Sequence, residues 1–413
     1  MEGQPARPAD APPSFHLLAK PTGAICNLDC RYCFYLEKES LYPGDRFRMS
    51  DEVMSAYITQ LLDAHVTPEV TVAWQGGEPT LMGLDFFRRA VATAEHVKRP
   101  GVRLQHTIQT NGTLMDDAWG EFLAEHRFLV GVSLDGPARL HDTYRTDKRG
   151  RPTFDRVVAG LRTLRRHGVD VNVLCTVNAA NADHPVEVYR CLRDDCGAEY
   201  IQFIPVVEPV AGPGPTGRAE VSDQSVPPEG WGSFLIAVFD EWVRRDVGRV
   251  FVVNFDVALA KWLDLPGGWC IFESTCGRAL ALEHNGDVYS CDHFVDEDHR
   301  LGNITGTPLV QLVAKPEQRR FGAAKRDGLP RYCRECPVLF ACNGECPKNR
   351  FATTPDGEPG LNYLCEGYRA FFSHVDRPMR VMAGLVRAGR FADEIMTEGD
   401  PDGHARDADQ PRR

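Results

Sequence analysis

The segment Cys26-Asn27-Leu28-Asp29-Cys30-Arg31-Tyr32-Cys33 places three thiols within eight residues, at the spacing C-x3-C-x2-C. It follows the apolar run at residues 15–19, which predicts a β-strand. Three thiolates on one short loop can hold an iron–sulfur cube by three of its irons and leave the fourth iron without a protein ligand. An open coordination position is typical of a catalytic metal site. A zinc knuckle or a set of buried thiols is the alternative interpretation.

The overall composition restricts the function classes. The chain has 413 residues, 43% of them hydrophobic and 25% charged, which is ordinary for a soluble protein of two or three domains. Its formal net charge of -11 argues against general binding to nucleic acid, which needs a basic surface. No apolar run reaches the ~20 residues of a membrane span, and residues 1–13 lack the apolar core of a secretory signal. We therefore expect a cytoplasmic protein without nucleic-acid or membrane partners.

The fourteen cysteines are unevenly distributed along the chain. Three lie in the opening segment, and eight lie between residues 270 and 365. In a reducing compartment such thiols are more often metal ligands or buried groups than disulfides. The other three, Cys175, Cys191 and Cys196, are predicted to be buried apolar residues.

Residues 14–207 alternate short apolar runs with amphipathic segments. The predicted strands cover residues 15–19, 70–74, 104–108, 129–134, 171–176 and 200–205, and the predicted helices cover residues 51–65, 84–97, 116–126, 154–167 and 186–195. Ser50 and Thr153 are predicted N-caps and Gly168 a predicted C-cap. The alternation predicts a parallel sheet with outer helices, arranged as a partial barrel of six units. Active sites in such folds lie at the C-terminal ends of the strands, where the three-cysteine loop is placed.

The remainder of the chain is predicted to be less regular. It contains a Pro- and Gly-rich loop at residues 208–228, a helix at 231–245, a loop-rich metal-held unit at 270–365 and a helix at 371–391 that is interrupted near Pro378. The predicted domains are a disordered start at 1–13, a barrel at 14–230, a linking helical region at 231–269, an auxiliary domain at 270–366, a helical segment at 367–397 and a disordered tail at 398–413.

Two further motifs follow predicted barrel strands. Gly76-Gly77-Glu78-Pro79 follows the second strand, and Ser133-Leu134-Asp135-Gly136-Pro137 ends the fourth. Alone, a glycine pair after a strand indicates only a turn, although it also allows close approach of backbone to a ligand. Together with the three-cysteine loop, these motifs resemble the radical S-adenosylmethionine (radical SAM) enzymes. The resemblance implies an α/β fold with a partial (β/α)6, TIM-like barrel.

The resemblance also implies a set of cofactor contacts. Cys26, Cys30 and Cys33 would bind a [4Fe–4S] cluster whose open iron chelates SAM. The implied SAM contacts are the backbone at Tyr32 and Gly77, the side chains of Ser133 and Arg145, and Val207 near the adenosine. Arginine suits the SAM carboxylate because its planar fork can form paired, charge-assisted hydrogen bonds. The alternative for Arg145 is a surface ion pair with Asp142.

The eight later cysteines form a second pattern. Cys276 to Cys291 reads C-x9-G-x4-C, and Cys333 to Cys346 reads C-x2-C-x5-C-x3-C. Eight thiols can ligate two cubes completely, or two zinc ions. The spacing resembles the twin-cluster SPASM domain. That resemblance implies auxiliary cluster I on Cys270, Cys276, Cys291 and Cys346, and auxiliary cluster II on Cys333, Cys336, Cys342 and Cys365.

A closer resemblance lies in Cys291-Asp292-His293-Phe294-Val295 and Cys342-Asn343-Gly344-Glu345-Cys346-Pro347, which are similar to the anaerobic sulfatase-maturating enzymes. This implies oxidation of a cysteine or serine in an unfolded or nascent sulfatase to Cα-formylglycine. The implied cofactors are three [4Fe–4S] clusters and SAM, with an electron donor such as flavodoxin or ferredoxin.

In that reaction a 5′-deoxyadenosyl radical removes a Cβ hydrogen from the target residue. Asp292 is the expected catalytic base, with His293 as an alternative. Gln75, Tyr35 and Asp135 are expected to line the same pocket. Two other functions stay open: a twin-cluster enzyme that cross-links or epimerises a ribosomal peptide, and a zinc-binding structural or interaction protein.

Overall fold

The computed structural model describes residues 7–213 and 219–397. Six neighbouring strands are parallel and form the barrel wall: β1 (His16–Lys20), β2 (Glu69–Trp74), β3 (Arg103–Thr110), β4 (Leu129–Ser133), β5 (Asp170–Val177) and β6 (Tyr200–Pro205). The helices that cover them are α1 (Asp51–Ala64), α2 (Leu84–Val97), α3 (Asp117–Glu125), α4 (Ala138–Tyr144), α5 (Phe154–Arg166) and α6 (Pro185–Arg190). The predicted partial barrel is therefore confirmed.

The ends of these helices follow their local sequence. Ser50 caps α1, because its side chain accepts a hydrogen bond from the backbone N–H of Val53. Gly168 follows the end of α5 with φ +71°, as predicted for a glycine at a helix end. Thr153 occupies the N-cap position of α5 but makes no side-chain cap bond. Asp142 performs that role, because its Oδ1 accepts from the N–H groups of Thr153 at 2.7 Å and Phe154 at 2.9 Å.

The helix predicted at residues 186–195 is shorter and changes type. After α6 the chain forms a wider π-helical turn at Cys191–Asp195, in which Cys196 N donates to Cys191 O at 2.9 Å. Cys191, Cys196 and Cys175 of β5 are all buried in the core, as predicted. These three cysteines therefore lie outside the candidate metal sites.

The predicted loop at residues 208–228 is wrong in part, because an antiparallel hairpin lies within it. The hairpin pairs β7 (Pro209–Pro213) with β8 (Ala219–Val221), and residues 214–218 lie outside the described chain. It is followed by α7 (Pro228–Arg245), β9 (Phe251–Val252) and α8 (Val253–Trp262), and the helix predicted at 231–245 falls within α7.

The barrel sheet continues into the region of the later cysteines, which the sequence pattern did not predict. β10 (Ala279–Glu283) pairs in parallel with β1, and β11 (Asp287–Tyr289) and β12 (Arg300–Asn303) add antiparallel strands beyond it. With β9 beside β6, the sheet has ten strands in the order β12-β11-β10-β1-β2-β3-β4-β5-β6-β9. Backbone hydrogen bonds therefore join the auxiliary region to the first strand of the barrel.

Short elements dominate the rest of the auxiliary region, as expected for a loop-rich unit. They are α9 (Leu309–Val313), α10 (Pro316–Asp327), α11 (Arg331–Arg334), α12 (Leu339–Cys342), β13 (Ala352–Thr353) and β14 (Pro359–Leu361). No described helix is both long and apolar enough to cross a membrane.

The last long helix, α13 (Cys365–Arg387), runs through Pro378, so the predicted interruption is wrong. An interior proline costs about 3 kcal/mol because it removes one helical hydrogen bond and crowds the preceding turn. The buried face of α13 outweighs this cost, since full burial of one large apolar side chain contributes ~1.5–3 kcal/mol. Phe371, Phe372 and Met379 belong to that face, and the Phe371 ring lies 5.9 Å from the ring of Phe255 on α8.

The two chain ends were predicted to be disordered. Residues 1–6 and 398–413 lie outside the described residues. Residues 7–13 contact the folded body, because Asp10 Oδ2 forms an ion pair with Arg319 Nη1 at 2.9 Å.

Candidate active site

A cavity of about 310 Å³ opens at the C-terminal ends of the barrel strands. Its wall includes all three thiols of the opening segment, Cys26, Cys30 and Cys33. The auxiliary region closes the opposite side with Trp269, Ile271, His293, Glu345, Lys348 and Asn349. The three thiols therefore face a chamber that is built by both parts of the chain.

The three-cysteine loop is held by backbone contacts with the end of α4 and the segment after it. Asp29 N donates to Thr146 O at 2.8 Å, and Arg31 N donates to Tyr144 O at 3.0 Å. The Cys26 sulfur accepts from Leu28 N at 3.3 Å. The loop is thus positioned by its own backbone and by a neighbouring segment of the barrel.

The Gly76-Gly77-Glu78-Pro79 turn packs directly under this loop. Gly77 N donates to Gly23 O at 2.7 Å and Glu78 N to Ile25 O at 2.9 Å. A Cβ atom at Gly77 would lie 2.1 Å from Ile25 O, so no larger residue fits there without moving the loop. The glycine pair therefore allows close approach of backbone to backbone next to Cys26.

Glu78 connects the ends of β2 and β3, a role that sequence reasoning missed. Its carboxylate is fully buried and accepts hydrogen bonds from Thr80 Oγ1 at 2.6 Å, Thr110 Oγ1 at 2.8 Å and Asn111 N at 2.7 Å. Burial raises the pKa of Glu78, although these donors oppose the shift. The available signal was an acidic residue between two turn-forming residues at a strand end.

Arg145 is fixed inside a buried network rather than at the surface with Asp142. Its Nε donates to Asp135 Oδ2 at 2.9 Å, its Nη2 donates to Thr176 Oγ1 at 3.0 Å, and its Nη1 lies 4.0 Å from Cys30 Sγ. Tyr32 also donates its hydroxyl to Asp135. Burial lowers the pKa of Arg145 but the carboxylate of Asp135 raises it, and the net shift is upward. The guanidinium is therefore a fixed cation beside the thiols, suited to a carboxylate ligand.

Most residues predicted to contact SAM or line the pocket lie in this cavity wall: Tyr32, Tyr35, Gln75, Gly77, Ser133 and Arg145. Asp135 lies behind Arg145 and holds it. Val207 is buried in the core, and its neighbour Val206 lines the cavity. Gln109, Thr110 and Asn111 at the end of β3 were missed, although a polar run after a strand was visible in the sequence. Gln109 Nε2 donates to Ser133 Oγ at 3.1 Å.

The eight later cysteines gather in the two predicted sets. Cys270, Cys276, Cys291 and Cys346 line one cavity of about 180 Å³, here called auxiliary cavity I. Cys333, Cys336, Cys342 and Cys365 line a second, smaller cavity, here called auxiliary cavity II. Burial raises the pKa of both Cys291 and Cys365 to about 12, so these thiols would release their protons on binding metal. Two sets of four soft donors fit two iron–sulfur cubes.

Asp292 lies on the wall of auxiliary cavity I. Its carboxylate forms an ion pair with Lys20, a residue that lines the large cavity. Burial raises the pKa of Asp292, but Lys20 lowers it, and the net shift is downward. His293 lines both cavities, and burial lowers its pKa to about 4, which keeps the ring neutral. The expected base therefore lies where the two cavities meet, with a cation attached.

Comparison with known proteins agrees with this arrangement. Residues 21–192 match the model of the radical SAM superfamily, and residues 270–337 match that of an iron–sulfur cluster-binding domain, SPASM. The chain is 46% identical over 371 residues to a serine-type anaerobic sulfatase-maturating enzyme of Bacteroides thetaiotaomicron, with 87% of this chain and 89% of the relative covered. It is 32% identical to a cysteine-type enzyme of Clostridium perfringens, over 88% of this chain and 96% of the relative.

The chain belongs to the anaerobic sulfatase-maturating family of radical SAM enzymes. A solved structure of native anSMEcpe with bound AdoMet and the Cp18Cys peptide has a TM-score of 0.81 and 30% identity, and the match covers 91% of this chain and 100% of that chain. The fold, the radical SAM class and the use of iron–sulfur clusters and SAM are thereby confirmed. The hypothesis of a zinc-binding structural protein is rejected.

Proposed function

We propose that this radical SAM enzyme oxidises a serine or cysteine side chain of a sulfatase polypeptide to Cα-formylglycine. The observation that carries the proposal is the adjacency of two cavities: the three-cysteine loop and the fixed Arg145 line the large cavity, Asp292 lines auxiliary cavity I, and His293 lines both. The relatives at 46% and 32% identity are named serine-type and cysteine-type anaerobic sulfatase-maturating enzymes. The unfolded or nascent state of the substrate is part of the proposal.

The barrel residues bind and orient SAM in this proposal. Cys26, Cys30 and Cys33 would hold a [4Fe–4S] cluster, whose chemistry when bound is the reductive cleavage of SAM. Arg145 pairs with the SAM carboxylate, and Ser133 offers a hydroxyl at the end of β4. The auxiliary wall excludes water from the chamber, which protects a reactive radical and fixes the target Cβ beside it.

The target residue must lose a hydrogen atom, a proton and an electron. Cleaved SAM would supply the acceptor for the Cβ hydrogen, and the side-chain proton of the target goes to a carboxylate oxygen of Asp292. The two four-cysteine sites would hold the clusters that accept the electron, and the carbon–oxygen or carbon–sulfur bond becomes a double bond. A thioaldehyde from cysteine then hydrolyses to the aldehyde. The count of three clusters, the donor such as flavodoxin or ferredoxin, and the cytoplasmic location are parts of this proposal.

Serine is the first target to test, because the serine-type relative at 46% identity is closer than the cysteine-type relative at 32%. The experiment incubates the reduced, cluster-loaded enzyme with SAM and two matched peptides. The peptides carry the sulfatase motif C-x-P-x-R with either Cys or Ser at its first position, which is the target. Mass spectrometry should find an aldehyde at the target position, as a loss of two hydrogens from the serine peptide. A thioether cross-link or an epimerised residue instead would contradict the proposal.

The role of Asp292 has its own test. We expect Asp292→Asn to release 5′-deoxyadenosine at a near-normal rate but to form aldehyde at least about 10-fold more slowly, because the amide cannot accept the proton. Asp298→Asn is the matched control, since Asp298 is an exposed residue a few positions along the chain. If Asp292→Asn forms aldehyde as fast as the control, another group is the base.

A further inference from the structure

Lys20 is a buried cation that neither the cofactor motifs nor the family match explains. It is the last residue of β1, its side chain is 1% exposed, and it lines the large cavity. Removing an ammonium group from water is costly unless partners compensate for it. A lysine in this place therefore requires specific neighbours.

Two neighbours hold the Lys20 ammonium group, and a third residue fixes one of them. The first is the Asp292 carboxylate, with which it forms an ion pair. The second is the ring of Tyr35, whose centroid lies 3.5 Å from Lys20 Nζ, at cation–π distance. Tyr35 is fixed in turn, because it donates its hydroxyl to Glu283, the register partner of Lys20 on β10.

The backbone around Lys20 is equally constrained. A Cβ atom at Gly76 would lie 3.3 Å from both Cα and Cβ of Lys20, so the glycine leaves the space that this side chain uses. β1 belongs to the barrel, whereas Asp292 lies on an irregular segment just after Cys291. The ion pair therefore fixes a side chain of the loop to a rigid strand.

A second lysine with a largely buried side chain, outside the cavity walls, offers a control. Lys261 Nζ of α8 pairs with Glu273 Oε1 at 2.7 Å, and its side chain is 9% exposed. Lys261 lines neither the large cavity nor auxiliary cavity I. The two lysines give a matched pair for experiment.

We propose that Lys20 is a positioning residue that holds the Asp292 carboxylate where the large cavity meets auxiliary cavity I, oriented to take the proton of the target side chain. This inference rests on the proposed function, because it assigns Lys20 a role in that proton transfer. Without Lys20, the carboxylate can rotate about its side-chain bonds, and fewer radical events end in aldehyde. Cleavage of SAM, which happens on the barrel side, does not depend on this orientation.

The test compares Lys20→Met, Lys20→Arg and Lys261→Met in the cluster-loaded enzyme with a serine peptide. We expect Lys20→Met to form 5′-deoxyadenosine within about 2-fold of the wild-type rate, but to yield at least about 10-fold less aldehyde per deoxyadenosine. Lys20→Arg should recover part of that ratio because it keeps the charge. Lys261→Met should leave the ratio unchanged. A normal ratio in Lys20→Met, no recovery in Lys20→Arg, or an equal loss in Lys261→Met would each overturn the proposal.

Two further measurements separate positioning from a general structural role. The yield of aldehyde per deoxyadenosine in the double variant Lys20→Met/Asp292→Asn should be no lower than in Asp292→Asn alone. A further fall would show that Lys20 does not act through Asp292. Thermal melting should show a lower Tm for Lys20→Met than for the wild type. Adding Asp292→Asn should partly restore the Tm, because this substitution removes the buried charge that Lys20→Met leaves unpaired. A Tm that falls further in the double variant would overturn the ion-pair argument. Aldehyde formation by the wild type reports on the proposed function, so the two failures are distinguishable.

Discussion

In the barrel, the three cysteines of the candidate site come from one loop, and buried hydrogen bonds of Glu78, Asp135 and Arg145 surround them. In the auxiliary region, the eight cysteines come from segments spread between residues 270 and 365, joined by helices as short as Arg331–Arg334 and Leu339–Cys342. Helices of a single turn are not stable by themselves. The difference indicates that the barrel site is shaped before metal binds, whereas the auxiliary sites depend on metal for their shape.

The largest expected effect comes from removing one thiol in each region. We expect Cys342→Ala to lower the Tm of the cluster-loaded protein by several degrees and to open residues 331–365 to protease, because that segment loses the metal that holds it. Cys30→Ala should instead reduce 5′-deoxyadenosine formation at least about 100-fold while the Tm stays near that of the wild type. Melting curves, limited proteolysis and nucleoside analysis check both variants.

The two cysteine variants serve as controls for each other, since each removes one sulfur from one cluster site. Equal losses of Tm in Cys30→Ala and Cys342→Ala would remove the distinction between a prebuilt and a metal-built site. The same distinction predicts that iron content falls in both variants, but that the near-UV circular dichroism changes more in Cys342→Ala.

An intermediate effect is expected at Asp135. Its carboxylate accepts from Arg145 Nε and from Thr176 N, both at 2.9 Å. In Asp135→Asn a neutral amide replaces the carboxylate that fixes the guanidinium of Arg145. We therefore expect the KM for SAM to rise about 10-fold, which corresponds to the free energy of one lost charge-assisted hydrogen bond. Steady-state kinetics over a range of SAM concentrations measure this change. Asp142→Asn is the control, because Asp142 caps α5 and should leave the KM unchanged.

The smallest effect on activity is expected in the barrel body, away from either site. His106 on β3 stacks against Phe128, and no hydrogen bond from the described residues satisfies its ring nitrogens. Burial lowers its pKa from 6.5 to about 4. In the unfolded chain, His106 takes up a proton at a higher pH than it does in the folded protein. The folded state therefore loses stability as the pH falls from about 6.5 towards 4, and His106→Phe removes that loss.

The expected gain for His106→Phe is about 2 kcal/mol between pH 7 and pH 5, relative to the wild type. Melting curves of the loaded protein at the two pH values measure it. The exposed His96 provides the control variant His96→Gln, which should follow the wild type. If His106→Phe keeps the same pH dependence as the control, the acid sensitivity of this protein arises elsewhere.

Much of the barrel could be predicted because its signals are local. Apolar runs such as that of β2 are long enough to mark strands, and Ser50 marks the start of α1. The pairing of β10 with β1 could not be predicted, because a five-residue strand among cysteines and turns gives no sign of its partner. α13 passes through Pro378 for a similar reason, since the packing that offsets the proline comes from α7 and α8.

The candidate site shows the same division. The cluster cysteines and Arg145 stand out by spacing or by motif, whereas the partner of Arg145 does not. Asp142 is three residues from Arg145 in sequence, yet Asp135, ten residues away, forms the ion pair. Lys20 and Asp292 are separated by most of the chain, so only the folded molecule brings them together.

The parallel pairing of β1 with β10 has a consequence for protein engineering. All five residues of β1 are in register with Ala279–Glu283, so the two parts of the molecule share one ladder of main-chain bonds. An auxiliary region transplanted from a relative would need a strand of the same length and phase, since a slip of one residue turns every side chain of that strand to the opposite face. Chimaeras should therefore be joined before Cys270, with β10 and the cysteines on both sides of it exchanged as one piece.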